Sequence, residues 1–171
     1  MDQYQQFIHK SRYARWLPEQ KRRETWAETV ARYFDYMTAH LKDKHDFHVF
    51  KEQREELEEA VLNLDIMPSM RAVMTAGAAL DRNHVAAYNC SYIPIDDPRA
   101  FDELLYVLMC GTGVGFSVER NNVDELPIVP SMMENDYGII LVQDSKEGWA
   151  FAYRELLYYL YQGLVPSWDL S

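Results

Sequence analysis

Between Met67 and Arg120 the chain reads MPSMRAVMTAGAALDRNHVAAYNCSYIPIDDPRAFDELLYVLMCGTGVGFSVER, and no other stretch restricts the fold as strongly. It holds both cysteines and four of the seven glycines. Tyr88 to Ile95 alternates and is rich in β-formers, which predicts a buried strand. Asp96-Asp97-Pro98 then opens a helix, with Asp97 as N-cap and Pro98 at the first helical position. The helix runs to Cys110, where Gly111 supplies its stop. Val114 to Val118 reads as the next strand. A strand, an apolar helix, a glycine turn and a second strand in succession make this part of the chain α/β.

The residues before it have a different texture. Gln3–Lys10 predicts a short helix. Pro18 opens a longer one over Glu19–Leu41, in which Trp26, Val30, Tyr33, Phe34 and Met37 recur at three- and four-residue intervals. The basic triplet Lys21-Arg22-Arg23 is expected on its solvated face. A second amphipathic helix is expected over Phe50–Leu64, with Glu55 to Glu59 exposed rather than ligating metal, because no His or Cys is interleaved. His40, His45 and His48 are placed in the charged connection between the two helices. The change of texture after Pro68 divides the chain into a helical region, 1–66, and an α/β region, 67–171.

Within the second region, Met70 to Ala79 is apolar with small residues and fits a strand or a short helix. Asn121 to Pro130 is turn-rich, and Gly138–Val142 is a candidate short strand. Asp144 and Ser145 before Glu147 form a capping pattern for an aromatic helix, Trp149–Gln162, closed by Gly163. The tail Leu164–Ser171 is β-prone, and an apolar strand left as an open edge calls for a pairing partner.

Composition narrows the partners. The 171 residues carry a formal net charge of −10 with a pI near 4.9, which excludes the basic stripe that polymeric nucleic acid requires. No apolar run approaches the roughly 20 residues that span a bilayer. Two cysteines are too few for a disulfide scaffold, so the expected location is the reducing cytoplasm.

Two features could carry chemistry. Gly111-Thr112-Gly113-Val114-Gly115 follows a helix and precedes a strand, the reverse of a dinucleotide fingerprint, and it lacks the lysine of a phosphate loop. It serves either close packing at a corner or the approach of a ligand to bare backbone. Cys90, between Asn89 and Ser91, is either a small buried hydrophobe or a redox thiol, while Cys110 at a helix end reads as packing.

Five segments in order resolve these alternatives. Arg23–Val30, Pro68-Ser69-Met70-Arg71, Asn89-Cys90-Ser91, Gly111–Glu119 and Asp144–Trp149 together resemble the N-terminal part of a ribonucleotide reductase, and most closely the adenosylcobalamin-dependent class II enzymes. The resemblance covers most of the chain from about residue 10 onward. It implies a helical N-terminal region followed by the first part of a ten-stranded α/β barrel. It also implies that Cys90 is one of the redox-active cysteines and that Ser69, Asn89, Thr112 and Gly113 line the ribonucleotide substrate, largely through backbone groups. Asp97 and Arg120 fall near the binding site of a nucleotide effector.

The family's radical cysteine, its redox partner cysteine, its phosphate-binding loop and most of its adenosylcobalamin surface have no counterpart in these residues. The expectation is therefore a split enzyme, inactive alone, whose barrel is completed by a second chain carrying the C-terminal part. A gene interrupted by an intein or intron, as in phages, would yield such a piece. Two other readings are a piece of a class I large subunit and a non-catalytic nucleotide-binding or interaction module.

Overall fold

The structure is a computed structural model that describes residues 1–171, apart from the side chain of Tyr137, and divides into two compact units, Met1–Tyr88 and Asn89–Ser171. The first unit opens with α1 (Gln3–Ile8), capped reciprocally by Asp2 and Gln5, and passes into a π-helical turn, His9–Tyr13. Two short strands follow, β1 (Trp16–Leu17) and β2 (Arg22–Arg23), paired antiparallel. Only then does α2 begin, running from Trp26 to His45.

The helix expected from Glu19 thus starts later, and the cause is local. Thr25 and Glu28 form a capping box: the Glu28 amide donates to the Thr25 hydroxyl and the Thr25 amide donates to the Glu28 carboxylate at 2.7 Å. Arg22 closes on that carboxylate through two bonds of 2.6 and 2.7 Å. The basic triplet therefore lies on the hairpin rather than on a helix face, and Arg23 donates to the Ala14 carbonyl. At its other end α2 continues to His45 and stops where Asp46 turns left-handed at φ 50°. His40 and His45 accordingly belong to the helix, and only His48 lies in the connection.

α3 (Lys51–Leu62) packs on α2 through a small core of Val30, Phe34 and Val61, flanked by Trp26, Tyr33 and Leu62. Its glutamates 52, 55, 56 and 59 face solvent as expected, and Glu58 pairs with Arg54 at 3.2 Å. The stretch after Pro68 forms helices rather than a strand: α4 (Met70–Thr75), α5 (Ala78–Arg82) and a 3₁₀ turn, His84–Ala87.

The second unit is built from two parallel βαβ units. β3 (Cys90–Pro94), α6 (Arg99–Met109) and β4 (Gly113–Ser117) form the first; after a short α7 (Arg120–Val123), β5 (Glu134–Leu141), α8 (Lys146–Tyr161) and β6 (Leu164–Asp169) form the second. Parallel neighbours require a crossover, and α6 and α8 supply it. The local stops are those the sequence announces: Gly111 at φ 87° and Gly163 at φ 78° end the two helices, and the Gly148 amide donates to the Ser145 hydroxyl at the start of α8. The two crossover helices are tied by Arg154, which donates to the buried Asp102 at 2.6 and 3.0 Å.

The tail finds a partner within the chain, because β6 pairs with β5. Each sheet nevertheless has two strands, and parallel sheets are ordinarily covered on both faces. Tyr92, Phe116, Ile139, Leu141 and Trp168 on these strands are all more than half exposed. The β3–β4 and β5–β6 pairs are separate two-stranded parallel sheets.

Candidate functional site

The β3–β4 sheet assembles most of the expected site at one end. In the parallel register Cys90 lies beside Gly113, Tyr92 beside Gly115 and Pro94 beside Ser117. The Gly113 amide donates to the Asn89 carbonyl at 2.9 Å, which fixes the start of the pairing. Side chains alternate along a strand, so Cys90, Gly113 and Gly115 share a face. On that face β4 raises no side chain next to the thiol until Ser117. Cys90 is exposed and unpaired in any disulfide, so the reading as a buried hydrophobe fails.

The glycines differ in what requires them. Gly111 needs its glycine for the left-handed turn. A Cβ at Gly113 would meet the Asn89 carbonyl at 3.5 Å, and one at Gly115 would meet nothing closer than Ser91 at 3.8 Å, both ordinary contacts. The fold of this unit therefore tolerates a side chain at either position. What the two glycines do is leave β4 without side chains beside Cys90 and Tyr92.

Thr112 is 1% exposed and its amide donates to the Val107 carbonyl, so in this unit it is buried rather than presented to a ligand. Asn89 is exposed just before β3. Asp97 and Arg120 come three residues beyond Pro94 and Ser117, the last residues of the two strands, so they leave the sheet at the end opposite Cys90. The four residue steps from Cys90 to Pro94 put about 13 Å between the two ends at the usual strand rise. Both side chains are exposed; Asp97 accepts the Arg99 amide at 2.7 Å, although the N-cap of α6 is Pro98 rather than Asp97 and the helix starts at Arg99, and Arg120 begins α7. Cys110 is buried at the C-terminal end of α6, in line with packing.

Ser69 belongs to the first unit, where it caps α4: its hydroxyl accepts the Ala72 amide and donates to the Ala87 carbonyl at 3.3 Å. The position of α4 rests on a polar network that the sequence reading missed. Arg32 donates to Glu24 at 2.7 and 3.0 Å and to the Val73 and Ala76 carbonyls at 3.0 and 3.1 Å. Arg15 donates to the Ala76 carbonyl at 2.6 Å, and its amide reaches Glu24. Behind them His9 Nε2 lies 2.9 Å from the Thr29 hydroxyl, which donates to Glu24. Burial acts to raise the Glu24 pKa, but Arg32, the Arg15 amide and Thr29 outweigh it and hold the carboxyl below its ordinary value. Burial also lowers His9, only partly opposed by Glu24. The Thr25-x-x-Glu28 box was the one legible signal nearby; the Glu24–Arg32 contact spans eight residues and has no local pattern.

Among the described residues no three His, Cys, Asp or Glu side chains converge on a metal position, and no helix is long and apolar enough to cross a membrane. One cavity of about 340 Å³ opens between β5, β6 and α8, lined by apolar and aromatic side chains including Trp149, Tyr153 and Trp168.

Residues 1–78 match the family described as "Ribonucleotide reductase alpha domain". Its curated relatives lie in the branch that uses the B12 coenzyme. It is 30% identical over 166 residues to the adenosylcobalamin-dependent ribonucleoside-triphosphate reductase of Lactobacillus helveticus, covering 81% of this chain and 22% of the relative. To the enzyme of the same description from Lacticaseibacillus paracasei it is 33% identical over 159 residues, covering 74% and 21%. The crystal structure of a B12-dependent class II ribonucleotide reductase superposes with a TM-score of 0.76 at 22% identity, over 95% of this chain and 32% of that one. The fold is therefore shared, and the chain spans about a fifth of the length of the curated relatives it matches.

Proposed function

We propose that this chain is one part of an adenosylcobalamin-dependent ribonucleotide reductase, completed by a separate chain carrying the C-terminal part. Residues 67–171 would supply the first strands and helices of the barrel, and residues 1–66 its helical flank. The observation that carries the reading is the exposed Cys90 beside Gly113, on a neighbouring strand whose next residue on the same face, Gly115, is also without a side chain. A nucleotide can lie flat against such a wall. The incompletely covered parallel sheets supply the second support, since their exposed aromatic and aliphatic residues are ordinarily buried in a closed sheet.

In the assembled enzyme the ribose 2′-hydroxyl leaves as water and hydrogen takes its place. The two electrons come from Cys90 and a thiol of the completing chain, which end as a disulfide. Asn89 and Gly113, at the end of the sheet beside Cys90, would lie against the nucleotide, while the substrate-binding roles of Thr112 and Ser69 rest on the family resemblance alone. Asp97 and Arg120, at the far end of the same sheet, would read a nucleotide effector. The relatives are named as triphosphate reductases, which favours a ribonucleoside triphosphate as substrate. Two free thiols suit the reducing cytoplasm.

The residues present do not by themselves build a site for adenosylcobalamin. A corrin is a broad ring with polar amide arms, whereas the 340 Å³ cavity is apolar and offers no convergent donors. The cofactor, which supplies the radical when bound, belongs to the surface of the completing chain.

Co-expression with a candidate completing chain tests the proposal. A stable complex that forms deoxynucleotide only when adenosylcobalamin and a dithiol are present supports it. A complex that turns over without adenosylcobalamin, or the absence of any complex, overturns it.

A further inference from the structure

Cys110 and Lys146 form a pair that the reductase chemistry does not use. Cys110 ends α6 and directly precedes the Gly111-Thr112-Gly113 turn, while Lys146 is the first residue of α8. The lysine Nζ donates to the cysteine Sγ at 3.6 Å, although the two are 36 positions apart in sequence. Lys146 forms no ion pair among the described residues, and this half-buried amine donates to a sulfur atom. A cation in the first turn of a helix also opposes the macrodipole of that helix, so local electrostatics of α8 do not explain the lysine. The end of α6 does, because the negative end of its dipole and the Cys110 sulfur both lie within the reach of the amine.

We propose that Cys110 and Lys146 are a redox modification site that closes to a covalent sulfur–nitrogen bond under peroxide. The thiol reduces hydrogen peroxide by two electrons, giving the sulfenic acid and one water. The neutral amine of Lys146, having released its proton to solvent, then attacks the sulfenic sulfur. The S–O bond breaks, the S–N bond forms and a second water leaves. In total one thiol, one amine and one peroxide become one sulfenamide and two waters, and a thiol reductant restores both side chains.

Proximity makes the amine the preferred trap. A nucleophile held at contact distance acts at an effective concentration that free thiols in solution do not reach. At 8% exposure Cys110 is reached by thiols in solution more slowly than by the amine already beside it. Closure would pin the last turn of α6 to the first turn of α8 and so restrain the glycine turn beside Cys90. The chemistry goes beyond the proposed reductase function and stands whether or not a second chain completes the barrel.

The test is peptide mapping of the full chain after hydrogen peroxide treatment, without and with later dithiothreitol. The expected product is a Cys110 peptide linked to a Lys146 peptide and lighter than their sum by two hydrogens. It should vanish on dithiothreitol and be absent from Cys110→Ser. Lys146→Arg keeps a cation beside the sulfur and removes the primary amine, so the fold is retained while the link is lost. Recovery of Cys110 as sulfinic acid, as a disulfide with Cys90, or as unmodified thiol while Cys90 oxidises would overturn the proposal. So would an equal yield of the linked peptide mass from Lys146→Arg.

Discussion

Replacing Arg32 with leucine should destabilise the first unit by breaking the network that holds α4. The side chain makes four hydrogen bonds, two to Glu24 and two to carbonyls at the end of α4. Glu24 is 4% exposed, so its carboxylate would be left in the interior without its countercharge. Removing one partner of a buried pair typically costs about 3–5 kcal/mol. The Thr29 hydroxyl and the Arg15 amide remain as donors to Glu24, which places the loss near the lower end, about 3 kcal/mol. For a chain of this size that corresponds to roughly 6–12 °C in Tm. Urea unfolding of the full chain, followed by circular dichroism, measures it. Combining the change with Glu24→Gln should recover more than about 1 kcal/mol relative to additivity, because the two side chains act as one unit. A loss under about 1 kcal/mol, or strict additivity of the two changes, would refute the reasoning.

The pair between α6 and α8 should respond asymmetrically. Arg154→Ala leaves a carboxylate that is 2% exposed unpaired, whereas Asp102→Asn frees a guanidinium whose side chain is already 42% exposed, so the first should cost more, by about 1 kcal/mol in urea midpoints. Gly148→Ala would drive a Cβ into the Gln143 carbonyl and should lower stability by about 1–3 kcal/mol, while Gly115→Ala should leave the melting of this chain unchanged and weaken nucleotide binding in the reconstituted complex. Acid should act in two stages. His9 has its pKa lowered by burial, so its contribution is complete above pH 6.5 and declines as pH falls below that value. Glu28 is held at about 2 instead of 4.5, first by Arg22 and then by the Thr25 amide; its contribution is complete above 4.5 and is lost as pH falls towards 2. Urea midpoints across pH should show both stages, and Glu28→Gln should reduce only the lower one, to which Glu24, also held below its ordinary value, contributes as well.

The α/β unit was legible because its boundaries are set by neighbouring residues. Gly111, Ser145 and Gly163 each act within one turn of where they stand and do in the structure what their residue types suggest, while Asp97 binds the Arg99 amide from one residue before the N-cap, Pro98. The long first helix was misplaced because apolar periodicity from Trp26 onward does not mark where a helix begins. The Thr25–Glu28 box does, and it overrides the helix-compatible residues from Glu19. The strand before Gly138 was obscured because its register with β6 shifts between Asn135 and Ile139, which breaks the alternation. For the site, sequence order alone suggested Cys90 beside a glycine turn. That the two glycines share the face of the thiol follows from parallel pairing, which composition does not encode. The Arg32 network stayed hidden for the same reason, since its acceptors are backbone carbonyls in a distant helix.

The role of Cys90 as an electron donor is the claim on which the functional reading turns. A pre-reduced complex with the completing chain, given ribonucleoside triphosphate and adenosylcobalamin but no external reductant, isolates it. The wild-type complex should form deoxynucleotide from its own thiols and then stop, with Cys90 recovered in a disulfide. Cys90→Ser should still assemble and bind nucleotide but form no deoxynucleotide. If Cys90→Ser matches the wild-type yield under these conditions, Cys90 is not the reductant and the assignment of this site is wrong.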